Sequence, residues 1–374
     1  MEVYRLSSRL RENEREYLIQ TSNDAVEGIV STTVFVNGLR TDSFSCPHPA
    51  GLSPEQMMSL VKQAHGDRKK ELETLLRACQ NVSADGNADE MYRLGIAFFY
   101  RRLYHEAEDI LTGLTHLDRG HHQGFSLLAQ SCLALGESKE AVNAAIEAVR
   151  LRPGYADYRN NLGEALLANG AVAEAVAELE AAISINMYYG EAYFNLALAR
   201  TLEAADCREA HRRRQLDRRI GELLRKAALI LPEFESHADY RDGLTALAAF
   251  DYARALGLLK RVRESRKEVK RQEFVTANRR LVTHQDSWTA DAIIDQIRLL
   301  EAQLVRHPNY LDLQTELARC QFERATHIWW SAVNTCRRIL DAHPDVPNVR
   351  RALERAQAVP AAAEQVIDSL IPKG

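Results

Sequence analysis

Residues 122–155 read HQGFSLLAQSCLALGESKEAVNAAIEAVRLRPGY, and residues 156–189 read ADYRNNLGEALLANGAVAEAVAELEAAISINMYY. Laid one beneath the other, the two 34-residue windows share Leu128 with Leu162 at the seventh place, and Ala129 with Gly163 at the eighth. They share Ala141 with Ala175 at the twentieth and Ala148 with Ala182 at the twenty-seventh. The frame runs back to Ala88 (Leu94, Gly95, Ala107) and on to Gly190 (Leu196, Ala197) with no residue inserted or lost. A fixed period of this length marks stacked supersecondary units.

The spacing predicts two helices per unit. Small residues at the eighth and twentieth places allow the two backbones to approach, and large ones such as Leu111 and Leu179 fill the space alongside. Leu135-Gly136 and Asn169-Gly170 supply the turns, since Gly readily takes the left-handed conformation that ends a helix. Pro153 closes the second helix because it cannot donate the next hydrogen bond. One such pair cannot bury its apolar face alone, so the units must stack.

These residues resemble the tetratricopeptide repeat family, clearly over about 88–200 and more loosely to about 357. The resemblance implies a mainly α protein with a right-handed solenoid that binds partners in a concave groove. Carried over place by place, it puts Asp89, Tyr92, Ile96, Phe99, Tyr100, Gln130, Asn160, Glu164, Phe194 and Leu198 on that groove. An aromatic floor flanked by carboxylates suits a protein or peptide segment of apolar and basic character. Ile96, Phe99 and Phe194 have a competing assignment to the core between helices, where apolar stripes ordinarily lie. Tyr92 and Ile96 stand where the family's chaperone-tail clamps carry Lys and Asn, which argues against that subtype.

Beyond residue 200 the frame slips. Pro232 falls eleven residues later than the period expects at 221, so the segment from Cys207 to Lys226 lengthens one or both helices of the fourth unit. A fifth unit opens at Ala238, with its second helix at Tyr252. Later come a helix over 289–306 closed by Pro308, a unit over 311–344 closed by Pro344, and a capping helix over 347–357. The expected domains are 1–80, 88–234 and 235–374.

The first eighty residues follow another period. Val30, Val34 and Val36 alternate with Ser31, Thr33 and Phe35, and Asn37-Gly38 marks a two-residue hairpin turn. Tyr17 to Thr21 makes a third strand. Ser53-Pro54-Glu55-Gln56 combines an N-cap, a first-turn proline and a capping-box glutamine, and it opens a long helix. The reading is a small α+β module, a three-stranded meander plus helix, followed by a polar linker over 81–87.

Composition excludes several classes. With 46% hydrophobic and 27% charged residues and a net charge of -4, neither disorder nor a global attraction to nucleic acid fits. No stretch approaches the length of a membrane span, and the first residues lack a signal-peptide core, so a cytoplasmic, bacterial protein is expected. Six scattered cysteines without a CxxC pair read as reduced thiols. No phosphate loop, dinucleotide fingerprint, HExxH or GxSxG occurs, so no cofactor and no catalysis are expected, leaving only an unfamiliar site in 1–80. His116, Asp118, His121 and His122 form the best metal candidate, but adjacent His121 and His122 should face different ways.

The rival functional reading rests on two basic stretches. Residues 208–226 carry eight Lys or Arg against three acids, and residues 260–280 carry nine against three. They suit an acidic partner or nucleic acid. The absence of interleaved aromatics, and the fit to solvated helix faces with i,i+4 pairs, weigh against nucleic acid.

Overall fold

The computed structural model describes residues 3–12, 14–24, 26–277, 290–306, 311–342 and 347–356. It divides into two compact units, one holding the described residues up to Gln272 and the other those from Glu273 onward. The boundary expected near 234 therefore falls inside the first unit.

The chain opens with an antiparallel meander, β1 (Arg5–Glu12), β2 (Arg15–Asp24), β3 (Ile29–Val36) and β4 (Leu39–Pro47), in that spatial order. It has four strands where the sequence reading expects three. The additional β1 alternates Leu6, Ser8 and Leu10 with arginines, a pattern poor in β-branched residues that gains its strand conformation by pairing with β2. At the β3–β4 turn Asn37 and Gly38 both take positive φ (49° and 82°), as a tight hairpin requires. A bulge after Val34 sets it opposite Asp42 rather than Thr41.

Helix α1 (Pro54–Asp85) begins with the reciprocal Ser53–Gln56 capping box. It continues through most of the segment expected to be a linker, so that only Gly86 and Asn87 separate it from the repeats. Gly86 ends it at φ 65°, and the Asn87 side chain caps the next helix by accepting from Glu90 N. The module and the first repeat share one core: Tyr17, Ile19, Val34, Leu72 and Leu75 cluster with Met91, Leu94, Phe98 and Leu111. A division at residue 80 would cut through it.

The repeats follow as hairpins: α2 (Ala88–Tyr100) with α3 (Tyr104–Leu117), α4 (His122–Leu135) with α5 (Ser138–Leu151), and α6 (Ala156–Ala168) with α7 (Val172–Ile185). First helices start at 88, 122 and 156, and second helices at 104, 138 and 172, so both keep the 34-residue step. At Gly95 and Gly163 an added Cβ would lie 2.6 Å from Leu111 and Leu179 respectively, which is why the eighth place stays small. The fourth unit, α8 (Gly190–Asp206) with α9 (Ala210–Ile230), lengthens both helices. A short α10 (Glu233–Ser236) leads to the fifth, α11 (Ala238–Ala248) with α12 (Tyr252–Ala277).

The second unit contains α13 (Ala290–Arg306), α14 (Leu311–Ala342) and α15 (Pro347–Ala356). Ile293, Ile297 and Leu300 pack on Cys320 and Leu317, and Trp329 Nε1 donates to Ala356 O at 3.0 Å. The expected repeat over 311–344 is instead one continuous helix to Ala342, since no Gly or Pro interrupts it. Pro308, Pro344 and residues 278–280 lie outside the described residues. No helix among the described residues is long and apolar enough to cross a membrane.

Candidate functional site

The first helices of the repeats, α2, α4, α6 and α8, pack side by side in sequence order and form one wall. Onto this wall the chain lays its own helix. Up to Val262, α12 is anchored by buried Tyr252, Ala255, Leu256, Leu259 and Val262. Beyond it, the helix carries Arg263, Lys267, Lys270 and Arg271 along one stripe at i, i+4, i+7 and i+8.

Three of those four reach first helices, while Arg263 pairs with Glu264 beside it. Lys267 Nζ lies 2.5 Å from Glu164 Oε2 on α6, and Lys270 pairs with Glu191 on α8. Arg271 Nη1 donates to the Tyr100 carbonyl at the end of α2, at 2.7 Å. Its neighbour Glu268 binds Arg271 and, from the turn after α2, Arg102. Burial pushes Glu164 and Glu268 upward, but Lys267 with Arg263, and Arg271 with Arg102, outweigh it and leave both carboxyls at about 2. Beneath Glu164 lies a buried amide pair: Asn195 Nδ2 donates to Asn160 Oδ1 at 2.9 Å and to Glu164 Oε1 at 2.8 Å.

At its far end the helix reaches a buried charge cluster. Asp42 of β4 binds Arg68 of α1, lies 3.8 Å from Arg101 and 3.7 Å from Arg271, and is 5% exposed. Glu71 takes the other sides of Arg68 and Arg101. The N-terminal module, the first repeat and α12 thus converge on one carboxylate.

Of the residues expected on the groove, Asn160 and Glu164 are joined there, and the Tyr100 backbone takes part through its carbonyl. Tyr92 is half-buried with its ring 4.9 Å from His121, while Asp89 is exposed at the start of α2. Gln130 is half-buried and bonds back to Ser126 O. Ile96 and Phe99 pack against the core shared with the N-terminal module. Phe194 and Leu198 are only 1% and 2% exposed, and Phe194 stacks on Phe234 with centroids 4.5 Å apart. Both belong to the core of the fourth and fifth units, because the lengthened hairpin closes over them. The occupant itself leaves only one trace in the sequence, the single-sided stripe of Arg263, Lys267, Lys270 and Arg271.

The histidine cluster does not converge. His121 Nδ1 accepts from Gly124 N as a helix cap, His122 bonds Tyr158 OH at 2.6 Å, and His116 is exposed. Glu108, Cys132 and Glu137 do bring ligand atoms within 4.8 Å of one another. There burial and the neighbouring Glu137 carboxyl hold Glu108 up at about 7, and burial pushes the Cys132 thiol up to about 12. In the N-terminal module His65 bonds Ser8 Oγ at 2.8 Å and Thr21 Oγ1 at 3.0 Å. A hydroxyl stands where a catalytic triad needs a carboxylate, so this is a polar layer between sheet and helix.

The hairpins, their period and the side-by-side first helices decide the family likeness. The repeats are tetratricopeptide-like. No family model matches the chain, and no curated protein matches its sequence. Among solved structures, MamA is 20% identical over 46% of this chain and 96% of its own, with a TM-score of 0.38. YrrB, described as a TPR protein with an unusual peptide-binding site, is 20% identical over 45% of this chain and 81% of its own, at 0.37. A thermophilic TPR protein of Thermus thermophilus is 16% identical over 63% of this chain and 99% of its own, at 0.35.

Proposed function

We propose that this chain is a non-catalytic adaptor whose tetratricopeptide-like wall holds a segment of a partner protein in the assembly or regulation of a larger complex. The observation that supports it most is that the wall already carries a helix, and selects it by chemistry: Glu164 and Glu191 receive Lys267 and Lys270. Carboxylates spaced over successive repeats read charge along a helix, and half-buried Tyr92 adds an amphipathic surface beside them. The wall's acidic groups account for a partner of basic as well as apolar character. The nucleic-acid reading weakens, because Lys267, Lys270 and Arg271 of the α12 stripe already pair with carboxylates of this chain.

Photo-crosslinking in cells tests this reading. A photoreactive residue in place of Tyr92 or Gln130 should capture one discrete partner, while the same residue at exposed Lys139 or Glu174 on the second helices should not. Capture of the same partner only from Lys139 or Glu174 would move the binding surface to the outer helices.

A further inference from the structure

The two halves of α12 are held by different forces. The first half buries Tyr252, Ala255, Leu256, Leu259 and Val262. From Arg263 to Gln272 the only apolar residue is Val269, which is 43% exposed, and Arg266 is the only buried side chain. This second half is held by polar contacts: Lys267 with Glu164, Lys270 with Glu191, Glu268 with Arg102, Arg271 with Asp42 and the Tyr100 carbonyl, and Arg266 with Glu233 of α10. Lys267 and Lys270 are themselves close to half exposed. Partly hydrated pairs such as Lys267–Glu164 and Lys270–Glu191 hold a helix in register yet exchange readily for equivalent pairs.

We infer that residues 263–272 are a displaceable stand-in for the partner, whose recognised segment is a helix with Lys or Arg at the spacing of Arg263, Lys267, Lys270 and Arg271. This rests on the wall being the partner surface. It adds the partner's chemistry and a closed state: the anchored half of α12 stays in place while its charged half leaves the wall to a basic helix from another protein. The cation spacing that the wall accepts is set by Glu164 and Glu191, on neighbouring first helices. The Asn160–Asn195 pair beneath fixes the Glu164 carboxylate toward it. A partner that fits must also offer a face without acids at these positions, since a carboxylate opposite Glu164 would be repelled.

A population argument sets the size of the effect. If the charged half is off the wall about 1–10% of the time, a competing helix binds the intact chain about ten- to a hundredfold more weakly than a chain whose wall is open. The probe is a labelled synthetic peptide of residues 260–277, added to the full chain and to a Lys267→Glu/Lys270→Glu variant. Hydrogen exchange of residues 263–272 should rise in the variant, and the peptide should bind it about ten- to a hundredfold tighter than wild type. Adding Glu164→Lys and Glu191→Lys to that variant should remove the binding.

Release without any peptide binding would sink both the partner surface and this inference. Equal affinity for wild type and variant, lost with the Glu164 and Glu191 changes, would leave the partner surface standing and overturn the stand-in. Unchanged exchange in the variant would show that charge does not hold the helix, and would overturn the stand-in too. A third variant, Glu164→Gln/Glu191→Gln, frees the stripe with its cations intact. Tight binding of a 20-nucleotide single strand by it, with no peptide binding elsewhere, would make the wall a mask for a nucleic-acid site and reject the inference.

Discussion

Residues 208–226 and 260–272 look alike in composition, each a helix crowded with Lys and Arg, and the fold treats them oppositely. On α9 the arginines stay on the outside, apart from half-buried Arg213, which donates to the Cys207 carbonyl. Arg214 and Arg218 are exposed, Arg212 pairs with Glu203, and Lys226 lies over the Tyr193 ring at 4.9 Å. On α12 the cations turn inward to a wall of carboxylates and end at a buried cluster. Charge count alone does not assign a basic helix to solvent, polyanion or protein. The deciding quantity is what the opposite surface offers, which depends on the curvature of the preceding repeats.

The largest expected effect lies at Asp42. That carboxylate faces Arg68, Arg101 and Arg271, so removing it leaves Arg68 and Arg101 to share Glu71, with Glu268 on Arg271, and unbalances the buried charge. Uncompensated buried charge costs about 3–5 kcal/mol. Asp42→Ala and the isosteric Asp42→Asn are both expected to lower the unfolding free energy of the first unit by an amount of that order, read from denaturant titrations. Losses below about 1 kcal/mol for both would show that the cluster is hydrated and that α12 is not tied to the N-terminal module through it.

Glu164 gives a smaller effect with a pH signature. Its folded value of about 2 lies below the ordinary 4.5, so the stability it contributes is fully present above about pH 4.5. That contribution is lost as the pH falls from there toward 2. The whole shift corresponds to about 3 kcal/mol, and Lys267, close to half exposed, reduces this to about 1–2 kcal/mol. Melts of wild type and Glu164→Gln should therefore differ at pH 7 and converge near pH 2–3. A difference constant over that range would mean that the carboxylate is not charged against Lys267.

How much of this was legible in advance follows from the range of each interaction. The starts of α2, α4, α6 and α8 at 88, 122, 156 and 190 could be read directly, because the eighth-place contact of Gly95 with Leu111 recurs sixteen residues apart at Gly163 with Leu179. The capping box at Ser53 and the turn at Asn37-Gly38 were equally local. Strand β1 was not, since RLSSRLRE has no β-branched residue and depends on its neighbour. Nor was the continuity of α14, where Trp329 and Ala332 repeat the three-residue spacing of Tyr104 and Ala107 at the start of α3, without a breaker before them. The occupied wall was least legible. Lys267 and Glu164 are 103 residues apart, and only the accumulated turn of three hairpins brings them together. The same distance effect sent Phe194 and Leu198 into the core, because Phe234 and Tyr240 arrive from a hairpin lengthened beyond the period.

The smallest expected effect belongs to α9. Arg214 and Arg218 project into water, so reversing both to Glu removes no buried partner and opens no cavity. Surface substitutions of this kind change stability by about 0.5 kcal/mol or less. The melt should be indistinguishable from wild type, and hydrogen exchange of residues 263–272 should not move, because α9's outer face does not contribute to the wall's carboxylates. If the stretch is a solvated face, single-stranded RNA or DNA should bind the chain no tighter than about 10⁻⁶ M near physiological salt, before or after the reversals. A tight, saturable complex would break the comparison. If each reversed arginine then lowered the slope of log affinity against log salt by about 0.7–0.9, the outer basic helix would be a polyanion site, and the contrast with α12 would be one between two ligands rather than between ligand and solvent.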